Sequence, residues 1–128
     1  MKISIIIPAF NEGERIEGVL KEVLNKNYNV VAVDDGSIDK TYEVLSKLKV
    51  KSKKLIVLKH KVNLGKGAAM KTGAEYAFSH GAEAVIFMDS DGQHKISDLS
   101  KFVVALDKDK YDLAIGIRKP NKNKAWRY

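Results

Sequence analysis

Val85-Ile86-Phe87-Met88-Asp89-Ser90-Asp91-Gly92-Gln93-His94 is the stretch on which the reading of this chain turns. An apolar run with the character of a buried strand ends abruptly in two carboxylates separated by one serine. Residues i and i+2 of an extended segment point the same way, so Asp89 and Asp91 converge if the chain stays extended there. With the Gln93 carbonyl close by, they form a cup of hard oxygens suited to Mg²⁺ or Mn²⁺ and to the phosphates such ions bind. The competing reading is a plain turn, with one aspartate capping the helix that follows. The remainder of the chain has to decide between the two.

Working outward, the same apolar-run-then-polar pattern recurs. Ile3 to Ile7 is a continuous β-branched run stopped by Pro8, the mark of a strand buried on both faces. After the connection Pro8-Ala9-Phe10-Asn11-Glu12-Gly13, a helix is predicted from Glu14, with Ile16, Val19, Leu20, Val23 and Leu24 on one stripe. Val30 to Val33 is a second strand, ending at Asp34-Asp35-Gly36-Ser37. Thr41, Val44, Leu45 and Leu48 mark a second helix, with Ser37 or Asp39 as N-cap. Leu55 to Leu58 is a third strand. Gly65-Lys66-Gly67 then opens an Ala-rich helix running to about Ser79. Ala84 to Met88 is the fourth strand, Leu99, Phe102, Val103 and Leu106 carry a fourth helix, and Leu113 to Ile117 is a fifth strand. This β-α alternation predicts a three-layer α/β/α domain with a mostly parallel sheet.

Ligands of open α/β sheets bind beyond the carboxyl ends of the strands. Asn11 and Glu12, Asp34 and Asp35, Asp89 and Asp91, and Arg118 all fall at such ends. Independent helix capping accounts for one or two acids along an edge, not for four clusters. Gly65-Lys66-Gly67 could hold an anion on backbone N–H groups, or its glycines could let the helix approach the sheet closely. It is not a Walker A loop, since no glycine lies at position 60 and no Ser or Thr follows Lys66. His80, beside Gly81 at a helix end, reads as a C-terminal cap. His94 has no clear catalytic setting, and Trp126 fits core, interface or membrane equally.

Bulk properties set the frame. The chain has 128 residues, 45% hydrophobic and 30% charged, which is one domain's worth of ordinary globular composition. No apolar run approaches the ~20 residues needed to span a bilayer. The N-terminus lacks the features of a signal peptide, and with no cysteine there is neither a disulfide framework nor a thiolate metal site. A cytoplasmic protein is expected. The net charge of +7 and the pI of 9.5 point to anionic partners, whether phosphorylated small molecules or the anionic face of a membrane. Lys47, Lys49, Lys51, Lys53 and Lys54 lack the interleaved aromatics of a nucleic-acid surface and read as a solvated face.

Taken together, Ile5-Ile6-Ile7-Pro8-Ala9-Phe10-Asn11-Glu12, Val33-Asp34-Asp35-Gly36-Ser37-Ile38-Asp39-Lys40-Thr41, Asn63-Leu64-Gly65-Lys66-Gly67 and Met88 to His94 resemble the inverting GT-A glycosyltransferases of family 2. The resemblance is to their dolichol-phosphate mannosyltransferase and polyprenyl-phosphate glycosyltransferase branch. It implies a Rossmann-like nucleotide-diphospho-sugar transferase fold and a GDP-mannose or UDP-glucose type of donor. Pro8, Ala9, Phe10 and Glu12 would line the nucleotide pocket, with Asp35 on the base or ribose and Lys66 and Ser90 near the donor. Asp89, Asp91 and Gln93 would hold the metal. Arg118, in Gly116-Ile117-Arg118, would reach the phosphates and, with Asp89 and Asp91, carry the chemistry. The branch continues beyond the position of Tyr128 into acceptor-binding segments, so residues 1–128 are expected to be one nucleotide-sugar-binding domain cut short on that side. Three other readings stand beside it: a sugar nucleotidyltransferase, a non-catalytic nucleotide-sugar-binding module, and a basic RNA-binding protein. The first would carry a glycine-rich loop where Pro8 to Glu12 lies, and no motif supports the last.

Overall fold

The computed structural model describes residues 2–90, 99–101, 103–104 and, for the backbone, 113–115. Five strands, β1 (Ile3–Ala9), β2 (Asn29–Asp35), β3 (Leu55–His60), β4 (Ala84–Phe87) and β5 (Leu113–Ile115), form one sheet in the order β3-β2-β1-β4-β5. Every pairing is parallel. Helices α1 (Ile16–Asn25), α2 (Thr41–Lys51) and α3 (Lys66–Ser79) connect the first four strands, and residues 99–101 and 103–104 are helical. The strand order reverses between β1 and β4, which makes that pair the switch point of an open α/β sheet.

Strand periodicity sorts the apolar runs into two cores. Ile5, Ile7, Val30, Ala32, Ala84 and Ile86 pack with Ile16, Leu20, Val23 and Leu45 on the α1/α2 face. Ile6, Val31, Val33, Val85 and Phe87 pack with Ala69 and Ala77 on the α3 face. Helix α3 comes so near the sheet that a Cβ on Gly73 would stand 2.4 Å from the Ile6 side chain. The close approach expected of Gly65 and Gly67 is not found there: both face open space. Lys47, Lys49, Lys51, Lys53 and Lys54 are exposed, as a solvated face requires.

Several boundaries differ from the sequence reading. Pro8 does not stop β1, which pairs with β2 as far as Ala9↔Asp34. The Met88 N–H donates to the Ile6 carbonyl at 2.9 Å, so even-numbered backbone groups of β1 face β4. The missing N–H of Pro8 therefore falls just past the end of β4, the one direction in which the β1–β2 ladder does not need it. β3 continues through Lys59 and His60, pairing as far as Asp35↔His60; its polar end disguises it in the sequence. Helix α1 begins at Ile16, its first turn anchored by the Glu12 carbonyl, which accepts from the N–H groups of Arg15 at 2.9 Å and Ile16 at 2.8 Å. Phe102, Leu106, Gly116 and Ile117, assigned to the fourth helix and fifth strand, lie outside the described residues, as do His94 and Trp126. His80 does end α3, its Nδ1 lying 2.9 Å from the Tyr76 carbonyl oxygen.

Candidate functional site

The carboxyl edge of the sheet carries two different polar arrangements, one on each face. On the α1/α2 side, the loops after β1 and β2 are tied to each other. The Asn11 N–H donates to Ser37 Oγ at 2.9 Å, and Asn11 Oδ1 accepts from the Ile38 N–H at 3.0 Å. Asn11 takes φ of 51° to do this, a left-handed conformation that asparagine tolerates better than most residues. The Glu12 N–H donates to Thr41 Oγ1 at 2.9 Å. Asp39 accepts from the N–H groups of Thr41 at 2.9 Å and Gly13 at 3.1 Å. Neither expected N-cap of α2 takes that position, which falls on Lys40 without a side-chain cap; Asp39 holds the Thr41 N–H from one residue further back, and Ser37 serves Asn11 instead. Burial works to raise the Asp39 pKa, but the Thr41 hydroxyl and the Thr41 and Gly13 N–H groups outweigh it and hold the carboxyl below its ordinary 3.8.

Gly36 makes the same loop fit its other neighbour. It has φ of 70°, and a Cβ there would lie 2.3 Å from the Val62 carbonyl carbon. Glycine lets the β2–α2 loop lie directly against the backbone of the β3–α3 loop.

On the α3 side, strand parity brings Pro8, Asp35, His60 and Asp89 onto one face. They continue the rows of Ile6, Val33, Leu58 and Phe87, which pack towards α3. Pro8, Asp35 and Asp89 border a cavity of about 360 Å³, and His60 stands behind Asp35 outside its lining. Pro8, Ala9, Phe10 and Glu12 line it from the end of β1 and its loop, Asp35 from β2, and Asp89 and Ser90 from beyond β4. Lys66 lines it from the start of α3, together with Asn63 and Gly65 of the preceding loop, which the sequence marked as part of a motif without giving either a place in the nucleotide pocket. Asp91, Gln93 and Arg118 lie outside the described residues.

Among the described residues, four charged side chains line the cavity: Glu12, Asp35, Lys66 and Asp89. Asp35, 3% exposed, accepts from the Leu64 N–H and Gly65 N–H, each at 2.9 Å, and its Oδ1 lies 2.8 Å from His60 Nδ1. Burial pushes its pKa up, but the His60 contact and the two N–H groups prevail and keep it below the ordinary 3.8. A carboxylate has about four acceptor directions, and these three donors leave one on Oδ2. Asp89, with 13% of its side chain exposed, is contacted on Oδ1 by the Lys66 ammonium. Glu12 Oε2 lies 2.8 Å from Arg15 Nη2 but, among the described residues, accepts no aligned hydrogen bond.

Asp34 belongs elsewhere. It points to the α1/α2 face, fully buried, with Oδ1 accepting from the Ser37 N–H at 3.1 Å and Oδ2 unpaired among the described residues. Of the adjacent pair, Asp35 is the one that meets the cavity.

The donor set at Asp89 and Ser90 is of hard oxygens, which fits Mg²⁺ or Mn²⁺. Lys66 already places a cation against Asp89, so the site accommodates positive charge at that carboxylate. Among the described residues there is no group of three or more His, Cys, Asp or Glu side chains able to enclose a metal. An ion here would rest on Asp89 and on ligands outside those residues.

A parallel sheet ordered 3-2-1-4-5, with a carboxylate-lined cavity at its switch point, is a Rossmann-like nucleotide-binding arrangement, and its likeness to solved glycosyltransferases makes it a GT-A fold. The family model described as Glycosyl transferase family 2 matches residues 4–128. The chain belongs to that family. It is 36% identical over 132 residues to a UDP-N-acetylglucosamine–dolichyl-phosphate N-acetylglucosaminyltransferase of Methanococcus voltae, covering 93% of this chain and 53% of that protein. Among solved structures, residues 1–349 of S. aureus TarS in complex with UDP superpose with a TM-score of 0.73 at 27% identity, over 97% of this chain and 38% of that one. The mannosyltransferase PcManGT from Pyrobaculum calidifontis, in complex with GDP-Man and Mn²⁺, shares the fold at a TM-score of 0.70 and 24% identity, over 82% of this chain and 32% of that one. The chain spans about half the length of the curated relative or less of the structures it matches. No helix among the described residues is long and apolar enough to cross a membrane.

Proposed function

We propose that this chain is the donor-binding part of an inverting, metal-dependent glycosyltransferase that moves a hexose from a nucleoside-diphosphate sugar to a polyprenyl phosphate such as dolichyl phosphate. The observation that carries the reading is the cavity at the β1/β4 switch point, with Asp35 at one end and the Lys66–Asp89 pair at the other. Phe10 and Pro8 give it an apolar wall for a base. The open acceptor direction on Asp35 requires a ligand that donates an N–H or O–H, as a base or ribose does. Lys66 offers positive charge to the diphosphate.

Breaking the anomeric bond builds negative charge on the leaving diphosphate. Charges already in place where it develops lower the barrier. A divalent ion held by Asp89, Asp91 and Gln93 would act as a Lewis acid on those oxygens when bound. Arg118 would add a guanidinium, and Lys66 its ammonium. Inversion requires a nucleophile on the opposite face of the sugar. A neutral hydroxyl acceptor needs a carboxylate base to take its proton, whereas a lipid monophosphate is already ionised near pH 7. Among the described residues lining the cavity, Asp35 is engaged by three donors, Asp89 by Lys66 and Glu12 by Arg15, which supports an acceptor that brings its own charge, as the lipid phosphate does. The acceptor and the net positive charge together agree with a place at an anionic membrane face.

Calorimetric titration with UDP, GDP and their sugar conjugates, with and without Mn²⁺, tests the donor half. Metal-enhanced binding of one nucleotide series is expected, and no binding of either would defeat the proposal. For the acceptor half, the full-length protein should release nucleoside diphosphate with polyprenyl phosphate. Turnover with neutral sugars alone would refute it, and release of pyrophosphate would indicate the nucleotidyltransferase instead.

A further inference from the structure

Behind Asp35, facing away from the cavity, stands His60, a residue that no motif in the sequence marks out. Its side chain is 11% exposed and spans two elements. Nδ1 lies 2.8 Å from Asp35 Oδ1 on β2, and Nε2 lies 2.8 Å from Thr72 Oγ1 on α3. We propose that His60 is a positioning residue for donor binding, holding the Asp35 carboxylate so that its single open acceptor direction faces the nucleotide. The inference rests on the donor reading given above.

The argument is one of hydrogen-bond inventory. An ionised carboxylate only accepts, so the hydrogen on Nδ1 must point to Asp35. In the neutral ring Nε2 then accepts from the Thr72 hydroxyl, and this second bond fixes the ring against rotation. Asp35 Oδ1 thereby takes two donors, His60 and the Leu64 N–H, while Oδ2 takes the Gly65 N–H alone. Without His60 the two oxygens are equivalent in donor count, and the carboxylate can turn to share its bonds differently. With His60 present, the oxygen left short of a partner is always Oδ2. A group held in this way loses less conformational freedom when a ligand arrives.

The placement also follows from the sheet. His60 is the Cα partner of Asp35 at the end of the β2–β3 ladder, and both residues continue the rows that pack towards α3. Register therefore sets the pair side by side, and Thr72, in the second turn of α3, closes the relay from the helix. The chain Thr72–His60–Asp35 links the element that carries Lys66 to the carboxylate at the other end of the cavity.

The test compares wild type with His60→Leu, His60→Asn and Thr72→Val, titrating each with UDP, GDP and inorganic pyrophosphate in the presence of Mn²⁺. Leucine fills the space but donates nothing, whereas asparagine keeps an N–H for Asp35. His60→Leu should weaken nucleotide binding about 10-fold, His60→Asn should recover it to within about 3-fold, and Thr72→Val should cost about 3-fold. Pyrophosphate, which has no base or ribose, should bind all four proteins alike. Equal nucleotide affinity in wild type and His60→Leu overturns the inference. So does an equal loss for pyrophosphate, which would make His60 a general scaffold residue, or a failure of asparagine to rescue. If His60→Leu does not fold, Thr72→Val and His60→Asn decide: full affinity in Thr72→Val overturns the inference, while weakening by Thr72→Val with near-normal binding by His60→Asn supports it. A wild-type protein that binds neither nucleotide defeats the donor reading itself, a result distinct from all of these.

Discussion

Asp34 and Asp35 are neighbours in the chain and nearly equal in burial, yet they belong to different machines. Asp34 sits among loops that satisfy one another: Asn11 with Ser37 and Ile38, Glu12 with Thr41, Asp39 with Gly13 and Thr41. Asp35 opens onto a cavity whose opposite end is the Lys66–Asp89 pair. The difference lies in what the surrounding donors leave over. On the α1/α2 side, these donors and acceptors hold loops together, and the oxygen left over among the described residues, Asp34 Oδ2, is sealed in the interior. On the α3 side, Asp35 keeps an acceptor direction on Oδ2 at the cavity, and such capacity is what a ligand uses.

The contrast can be broken in several places. Asp89→Ala should be the most damaging to function: loss of metal-dependent donor affinity and a fall in transfer rate on the order of 10²-fold, with the melting temperature little changed. Calorimetry and a transfer assay on the full-length protein would check both. Gly36→Ala should act on both sides at once, because a Cβ would collide with the Val62 backbone and strain a positive φ. A loss of about 3 kcal/mol in denaturant unfolding is expected, accompanied by weaker nucleotide binding as the Asn63–Lys66 loop shifts. Asn11→Ala should remain confined to the structural side. It removes the Oδ1 bond from the Ile38 N–H, while the backbone bond to Ser37 survives, and strains a left-handed residue, together costing about 2 kcal/mol, while nucleotide affinity in the folded protein stays within about twofold. Asn11→Gly should recover the part due to strain.

The smallest effect is that of pH. Asp35 and Asp39 both have folded pKa values below the ordinary 3.8. Their stabilisation is therefore complete above pH 3.8 and is lost as the pH falls through the lowered folded values. Unfolding curves of wild type and Asp39→Asn, followed from pH 6 downward, should converge in that acidic window.

Much of this was legible in the sequence because apolar runs that stop at polar clusters mark both strands and the edge where ligands bind. Strand existence, parallel order and the residues of the β1, β2 and β4 ends all followed from that pattern. What could not be read was parity. Val30 to Val33 is apolar throughout, since both faces of β2 are buried, so nothing local says whether Asp34 or Asp35 faces α3. His60 was hidden for a related reason. Lys59 and His60 look like loop, yet they extend an edge strand, where a polar residue is cheap. Alternation from Ile56 and Leu58 was the signal that could have found it. The Asn63 to Gly67 motif was visible in the sequence, but that the Gly65 N–H serves Asp35 was not, because a backbone contact between two loops leaves no mark in residue type. The α2 start is a further case: the rule for N-caps pointed to Ser37 or Asp39, whereas the cap position falls on Lys40, with Asp39 holding the Thr41 N–H from one residue further back and Ser37 claimed by Asn11.

Pro8 has one more implication. A strand that cannot donate at that point offers its neighbour only a carbonyl, one bond fewer than any other residue would. β4 ends at Phe87, with the Met88 N–H on the Ile6 carbonyl just beyond it. One imino acid thus thins the ladder at the place where the chain turns to chemistry.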